Sequence, residues 1–579
     1  LRWVRPLHGI VAILGEEIVP VEIDGIISGA TTAGHRFHHP GAITVGGAPD
    51  YVEKLRACHV IVDQEERERI IREGAAAAAA EAGLQLLEDE GLVVENAGLT
   101  EWPVPLLGRF DDDYLDVPRE VIVLTMRTNQ KYFACTDPGG LIAPAFVCVA
   151  NVAAKDGGAA IVEGNKRVLA ARLADARFFW EQDLKILLEE QAKKLGGIVF
   201  HEKLGTIADK VERLAKLARW LVENGVIKAD PTQVERAARL AKADLVTGMV
   251  GEFPELQGII GGYLAAAQGE PRPVADAIRD HYKPVGQGDD VPTAPVSIAV
   301  ALADKLDTIA AFFSIDAKPT GSKDPFALRR AAISSIELVV RNGLRLGLTQ
   351  ALRGGLANCA GQAADSSAAH RLDRTADEMG DFFADRLKVQ QREAGVRHDL
   401  IDAVFALGGE DDLVRLLARV NALQNFVETK DGADLLTAYK RAANILKKEN
   451  WTGGVMSSPL AQGIPQTGEE DPLVLVDDPI VGEAVAEMSS GEAGAELPQE
   501  KALISALDAA EPRAAAAIDA EDFTASMAAL ASLRSPIDDF FDHVTVNDSD
   551  PAKREHRLNL LMRFRDAVNR VADFSRIEG

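Results

Sequence analysis

The chain has 579 residues, 47% of them hydrophobic and 26% charged, and its 89 acidic residues exceed the 63 lysines and arginines to give a net charge of -26. This length predicts three or four domains of roughly 150 residues each. The apolar runs fall far short of the roughly 20 residues that span a bilayer, which excludes a helical membrane protein. The acidic balance argues against nonspecific nucleic-acid binding by the whole chain, but it permits a local basic face.

The cysteines indicate a reducing compartment. Cys58, Cys135, Cys148 and Cys359 are widely spaced, with neither a C-x-x-C pair nor a histidine pair at zinc-finger spacing. This pattern favours buried thiols over a disulfide framework or a structural zinc site. A charged-then-apolar signal segment is absent from the start, so we expect a cytoplasmic protein. Because residue 1 is Leu in a strand-like run, we interpret the sequence as lacking an N-terminal part.

Residues 1 to about 151 have the pattern of a mixed α/β region. Short apolar runs between residues 4 and 23 and the β-branched run at residues 121–126 predict strands. The alanine-rich residues 63–90 predict a helix. A turn signal at residues 137–140 (DPGG), flanked by apolar runs, predicts a β-hairpin.

Beyond residue 151 the apolar spacing is that of helices, through about residue 424. Two stripes are expected to be buried: Val168, Leu169, Leu173, Ala176 and Trp180 in one helix, and Leu204, Ile207, Val211, Leu214, Leu217 and Leu221 in another. Residues 449–500 contain no Lys or Arg but carry acidic, glycine, proline and serine clusters. At least part of this segment is therefore expected to be an exposed acidic insertion.

A helix predicted over residues 434–448 carries the most informative surface. One face is apolar, with Leu435, Tyr439, Ala442, Ala443 and Leu446 at helical spacing. The opposite face holds four cations and an amide, which are Lys440, Arg441, Asn444, Lys447 and Lys448. This set suits phosphate and base-edge contacts. A basic face that only keeps the helix soluble is the simpler alternative, because exposed Lys and Arg are common.

The last helix repeats this design more weakly. Its expected buried stripe is Leu560, Leu561, Phe564, Val568 and Val571, and its far side carries Asn559, Arg563, Asp566 and Arg570. Pairing of Asp566 with neighbouring arginines is the structural alternative to a nucleic-acid contact.

The central helices invite comparison with a metal site. HD-type phosphohydrolases bind a divalent metal through a His, a His-Asp pair and a distant Asp, for which His201, Ala243-Asp244 and Asp304 are the candidates here. Ala243 has no lone pair to offer a metal, and Lys242 adds a cation beside the position. We therefore expect a degenerate site without metal, in a scaffold that keeps some polar packing residues.

Two other motifs also depart from their patterns. The H-x-x-H-H cluster of His35, His38 and His39 has no fourth ligand near it in sequence, which favours a loop with partner or RNA contacts over a metal site. Residues 320–326 (TGSKDPF) lack the spacing of a phosphate-binding loop and predict a helix start, with Asp324 as cap and Pro325 at the first position. The sequence thus contains no self-contained catalytic apparatus, and neither a catalytic residue nor a bound cofactor is expected.

Several long phrases resemble the β subunit of the bacterial heterotetrameric glycyl-tRNA synthetase. They lie at residues 34–40 (GHRFHHP), 129–133 (NQKYF), 172–180 (RLADARFFW), 249–258 (MVGEFPELQG) and 319–330 (PTGSKDPFALRR). The resemblance implies a multidomain α+β protein with a mixed α/β region (1–160), an HD-like helical domain (161–318), a helical linking region (319–430) and a DALR-like anticodon-binding domain (431–579).

In that family the catalytic core, which uses ATP and Mg, belongs to a separate α subunit. The resemblance therefore implies an α2β2 complex in which this chain holds tRNA(Gly), with Lys440, Arg441 and Asn444 as matching positions. Lys447 and Lys448 are further candidates on the same helix, and Arg563 and Arg570 are candidates on helical geometry alone. Two alternatives remain open at this point: a metal-dependent HD-type phosphohydrolase, and an assembly scaffold that does not touch tRNA.

Overall fold

The structure is a computed structural model that describes residues 7–286, 288–360, 366–451 and 497–578. It divides into two compact units, the first comprising Leu1–Ile198 and Leu240–Arg279, the second comprising Val199–Arg239 and Asp280–Gly579. The first unit mixes strands and helices, and the second is mainly helical, which confirms the α+β multidomain class. The four domain boundaries stay predictions, and most of the expected acidic insertion lies outside the described residues.

The chain begins with short strands: β1 (Ile10–Val11), β2 (Ile13–Leu14), β3 (Glu17–Ile18), β4 (Glu22–Ile23), β5 (Ile26–Gly29), β6 (Thr31–Ala33) and β7 (Ala42–Thr44). β1 pairs in parallel with β5, whereas β2 with β3, β4 with β5, and β6 with β7 are antiparallel pairs. Strands β1 to β4 confirm the strand prediction for residues 7–23, whereas residues 4–6 lie outside the described residues.

An antiparallel sheet forms the core of the first unit. It contains β8 (Gln85–Leu86), β9 (Val104–Arg109), β10 (Phe133–Thr136) and β11 (Ile142–Ala150), in the order β8-β10-β11-β9. After α1 (Ala48–Ala57), the helices α2 (Gln64–Glu81) and α3 (Glu90–Leu99) bury apolar residues against the sheet. The predicted hairpin is confirmed: β10 and β11 pair, and the Asp137 carboxylate accepts the N–H of Leu141 at 2.9 Å.

Two local predictions in this region are wrong. Residues 121–126 lie in α4 (Arg119–Leu124) and the π-helical turn Thr125–Gln130, not in a strand. Val121, Ile122 and Met126 are fully buried there, so tertiary packing overrides their β propensity. The helix predicted over residues 63–90 ends at Glu81, because Gly83 at φ 72° turns the chain into β8.

The rest of the chain is almost wholly helical within the residues that the structure describes. The first of these helices are α5 (Ala159–Asp183), α6 (Leu188–Ala192), α7 (Ile207–Glu223), α8 (Pro231–Leu240), α9 (Gly248–Glu252), α10 (Ile259–Ala267), α11 (Arg272–Asp280) and α12 (Pro295–Ser314). A small hairpin of β12 (Val199–His201) and β13 (Gly205–Thr206) precedes α7. The predicted α5 stripe is buried except Val168, whose position next to Leu169 turns it outward, and it is 48% exposed.

The helices that follow are α13 (Leu328–Arg341), α14 (Leu348–Ala360), α15 (Ser366–Glu393), α16 (His398–Phe405), α17 (Leu413–Val427), α18 (Lys430–Lys448), α19 (Pro498–Asp519), α20 (Phe523–Ala531), α21 (Arg534–His543) and α22 (Pro551–Asn569). The helix expected to begin at Pro325 begins at Leu328. Asp324 nevertheless caps it, because its carboxylate accepts the N–H groups of Leu328 and Arg329, both at 2.9 Å.

A close backbone approach positions α18 against the end of α17. Thr429 caps α18, with its hydroxyl accepting the N–H of Gly432 at 3.0 Å. A Cβ at Gly432 would overlap the carbonyl oxygen of Phe426, the last turn of α17. The hydrogen at this position therefore sets how closely the two helices can approach.

We expect Gly432→Ala to lower the free energy of unfolding by about 1–3 kcal/mol, because a backbone carbonyl must shift to make room. The measurement is the chemical unfolding midpoint. Gly380→Ala in α15 is the matched control, since a Cβ there meets no heavy atom within 4 Å. The control should be neutral or slightly stabilising, because Ala favours helix over Gly. Equal losses in both variants would contradict the close-approach interpretation.

Candidate functional site

The predicted cationic helix is α18, and it begins four residues earlier than expected. Leu435, Tyr439, Ala442 and Leu446 are buried on its inner face, where it packs against α22. Its first turn contains Asp431 and its last turn Lys447 and Lys448, a charge order that complements the helix dipole. The amphipathic pattern thus orients a polar face outward.

The cations on that face are not equivalent. Asn444, Lys447 and Lys448 are exposed, and neither lysine forms an ion pair with any described residue. Lys440 is half-buried. Arg441 lies over Phe541 of α21, with its guanidinium carbon 4.3 Å from the ring centroid and one N–H donated to the carbonyl of Phe541 at 3.3 Å. Arg441 therefore also ties two helices together.

The two arginines predicted on α22 differ more sharply. Arg563 pairs with two carboxylates of α19, contacting Asp508 at 2.6 Å and Glu511 at 2.9 Å. Its charge is thus neutralised within the protein. Arg570 follows α22, is exposed, and has no side-chain partner among the described residues. Asp566 pairs with Arg565 at 2.7 Å, which agrees with the alternative that this aspartate serves to pair with a neighbouring arginine.

An open groove of about 500 Å³ lies between α18 and α22; we call it the Trp451 groove. Trp451, just after α18, is half-buried and donates its indole N–H to Asn559 of α22 at 3.0 Å. The other walls are Tyr439, Ala443, Leu446, Lys447, Asn450, Arg565, Asp566, Asn569, Asp573 and Ser575. Burial raises the pKa of Tyr439, so its phenol stays protonated at neutral pH.

Sequence reasoning found Lys447 but missed Trp451, Arg565 and Asn569. Helical periodicity assigns the far face of α22 without showing which neighbour lies beside it. One feature of the sequence could have indicated the groove: a single Trp stands directly after the cationic helix and before a glycine-containing segment. A partly exposed aromatic at such a point is a binding candidate, but only the packing of α18 on α22 brings the groove residues together.

The histidine cluster in the first unit is held by backbone groups. The Nδ1 atom of His35 accepts the N–H groups of Phe37 and His38 at 3.2 Å, so Nε2 carries the proton and donates to the carbonyl of Asn151 at 2.5 Å. His38 Nε2 accepts the N–H of Ala153 at 3.0 Å. Burial, and then repulsion from His59 and His35, lower the pKa of His38. His39 is exposed.

The positions compared with an HD site fall in different units. In the second unit, the ring of His201 packs edge-on against Phe312 and Phe326, with centroids 5.6 and 5.8 Å away. The Asp304 carboxylate contacts the ammonium of Lys210 at 2.9 Å. Lys210 also lies 3.2 Å from Asp307. An internal ammonium therefore lies against the carboxylate that a metal would need.

The Lys210 cluster is almost fully enclosed. Arg213 donates to both oxygens of Asp307, at 2.8 and 3.3 Å, and the side chains of Lys210 and Asp307 are 6% and 1% exposed. Lys210 and Arg213 come from α7, and both aspartates come from α12. Two buried cations facing two buried anions thus join α7 to α12.

Asp244, in the first unit, is a helix cap. Its Oδ2 accepts the N–H groups of Gly258 and Gly261 at 2.5 and 3.0 Å, at the start of α10. Oδ1 is buried and has no hydrogen-bond partner. Burial raises the pKa of Asp244 to about 6, although those two N–H groups and Lys242 favour the charged form.

Within the described ranges, no group of three or more His, Cys, Asp or Glu side chains is placed to hold a metal ion. None of the helices in those ranges combines the length and hydrophobicity needed to cross a bilayer.

Removing the central ammonium of the Lys210 cluster should be costly. We expect Lys210→Met to lower the free energy of unfolding by about 3–5 kcal/mol, because the buried carboxylates of Asp304 and Asp307 both lose its ammonium, although Asp307 keeps Arg213. Chemical unfolding measures it. Arg219→Met is the control: Arg219 pairs with Glu223 at the surface of the same helix, where its side chain is 46% exposed, and should lose at most about 1 kcal/mol. Similar losses would show that the cluster contributes no more than a surface pair.

The raised pKa of Asp244 predicts a pH dependence. Asp244 binds its proton more tightly in the folded protein than in the unfolded chain. Protonation of Asp244 therefore contributes fully to the free energy of unfolding below the ordinary pKa of an aspartate, and this contribution is lost as the pH rises through about 6. Asn is neutral at every pH and can accept the same N–H groups. We therefore expect Asp244→Asn to gain stability relative to the unsubstituted chain between pH 5 and pH 7.5, measured by thermal unfolding. A difference that does not change with pH would contradict this.

Comparison with known proteins adds the family. Residues 1–406 match the model of the glycyl-tRNA synthetase beta subunit, and residues 480–573 match the DALR anticodon binding domain. Proteins named glycine–tRNA ligase beta subunit are similar over the whole chain and 79% of their own length. The identity is 50% for that of Rhodospirillum centenum and 47% for those of Phenylobacterium zucineum and Paracoccus denitrificans. The chain therefore belongs to the family of glycyl-tRNA synthetase β subunits.

Proposed function

We propose that this chain is the tRNA-holding subunit of a glycine–tRNA ligase, and that it presents tRNA(Gly) to a catalytic centre on a separate α subunit. One observation carries the proposal: in a chain of net charge -26, exposed cations without carboxylate partners among the described residues gather on α18, just before the DALR match. Phosphate neutralisation by such cations supplies much of the affinity for nucleic acid.

The reaction explains why a separate holding subunit is useful. Glycylation requires the acceptor end of the tRNA to stay at the reacting atoms, and positioning alone accounts for a large part of catalytic rate. Cationic groups on phosphates would fix the register of the RNA, and amide or guanidinium groups would contact unpaired bases. In this scheme Lys440, Asn444, Lys447, Lys448 and Arg570 contact RNA, whereas Arg441 also holds α18 against α21.

The complex that follows is an α2β2 tetramer working in the cytoplasm, with ATP and Mg used on the α subunit. The contact of Asp304 with Lys210 supports this division of labour, because it occupies a carboxylate that a metal-dependent active site in this chain would need. An independent HD phosphohydrolase is disfavoured by the same contact. A scaffold without RNA contact makes a different prediction for the charge reversals below.

The test is glycine charging and tRNA binding by the complex that carries Lys447→Glu and Lys448→Glu together. If about five phosphates are neutralised, log K should fall with log salt at a slope of roughly -3.5 to -4.5 for the unsubstituted complex. The double reversal should weaken binding at low salt and reduce the slope by roughly 1–2. Charging at limiting tRNA should fall with it.

The control is Lys216→Glu with Lys228→Glu, which changes the net charge equally at two exposed lysines on and after α7. It should leave affinity, slope and charging unchanged. Charging that survives the α18 reversal would favour the scaffold. Charging by this chain without an α subunit would overturn the assignment of the catalytic centre.

A further inference from the structure

The Trp451 groove has a composition that the cationic face of α18 does not share. Its lining includes apolar and aromatic side chains: Ala443, Leu446, the fully buried Tyr439 and the half-buried Trp451. Lys447 and Arg565 provide positive charge, and Asn450, Asp566 and Asn569 provide polar groups on the same walls. This is the combination of flat aromatic surface, fixed polar groups and charge that takes an unpaired nucleobase with its phosphate.

The aromatic surface is fixed in place. The indole N–H of Trp451 donates to Asn559 at 3.0 Å, which limits rotation of the ring. Asn569 is held as well, because its side-chain oxygen accepts the N–H of Phe574 at 3.3 Å and its side chain hydrogen-bonds Tyr439. A preorganised surface loses less conformational entropy when a ligand stacks on it.

One wall retains hydrogen-bonding capacity for a ligand. Arg565 contacts only the Oδ1 atom of Asp566, at 2.7 and 2.9 Å, and Asp566 is 56% exposed. The other oxygen can therefore accept from an amino group on the edge of a base. Arg565 is itself ion-paired and orients Asp566, so of the two cations that line the groove the exposed Lys447 is the one placed to meet the phosphate of the same nucleotide.

We propose that the Trp451 groove binds one unpaired base of the bound RNA, stacked on Trp451, with Lys447 on its phosphate. This inference rests on the proposed function, and it adds a contact that recognises a base rather than a phosphate. It also assigns a role to three residues outside the predicted cationic set: Trp451, Arg565 and Asp566. The occupant is RNA rather than peptide, because the cations of α18 continue directly into the groove at Lys447.

The test uses the complex of the full chain with its α subunit, and an RNA hairpin that contains the anticodon stem and loop of a glycine tRNA. Trp451→Ala should weaken hairpin binding roughly 5- to 150-fold, the usual loss for one stacked base. Trp451→Phe should restore most of the affinity, because a ring can still stack. The slope of log K against log salt should stay unchanged in both variants, since stacking releases no counterions.

Trp220→Ala on α7 is the matched control, because Trp220 is also half-buried but lines no part of the groove, and it should bind the hairpin normally. Salt-sensitive binding that Trp451→Ala leaves intact would overturn the inference and leave the proposed function standing. Absence of salt-sensitive binding in the unsubstituted complex would overturn both. If Trp451→Ala does not fold, indole fluorescence is compared between the unsubstituted and Trp451→Phe complexes as the hairpin is added. Stacking on Trp451 predicts stronger quenching in the unsubstituted complex, and equal quenching in both would overturn the inference.

Discussion

In a chain with far more carboxylates than cations, the packing of each carboxylate decides which cation can meet an external anion. Arg563 and Lys447 were both predicted on outward helix faces, yet Arg563 is half-buried and pairs with Asp508 and Glu511 of α19, whereas Lys447 is exposed and forms no ion pair with a described carboxylate. An ion pair satisfies a guanidinium where it stands, so only the unpaired positions can bind phosphate. The basic surface therefore consists of the few cations that are not paired with carboxylates of the protein itself, and it is small and local.

The same constraint acts inside the second unit. Lys210 and Arg213 pair with Asp304 and Asp307 where the side chains are largely shielded from water, so removing one member leaves the other buried charges with fewer partners. This arrangement joins α7 to α12 and at the same time takes up the carboxylate that resembles a metal ligand. The Asp304 carboxylate therefore binds an internal ammonium that contributes to helix packing.

Hydrophobic periodicity predicted the long helices well, because the apolar stripe of an amphipathic helix is visible in the sequence whichever neighbour it packs against. The stripes of α18 and α22 are buried as expected, with Ala443 at the edge. Local propensity failed at residues 121–126, where a β-branched run is enclosed in a helix, and at Val168, where one residue of rotation separates buried from exposed. Both errors arise because burial depends on neighbours that the local sequence does not contain.

The sequence by itself determined the family, the cationic character of α18 and the loss of the HD pattern at Ala243, because these depend on residue types at fixed spacing. Tertiary structure alone decided that Arg563 is neutralised, that Arg441 braces α21, and that Trp451 lies over a groove with residues more than a hundred positions further along the chain. The physical reason is that residue spacing determines which side chains share one face of a helix. Ion pairs, burial and grooves form only where a second helix packs against that face.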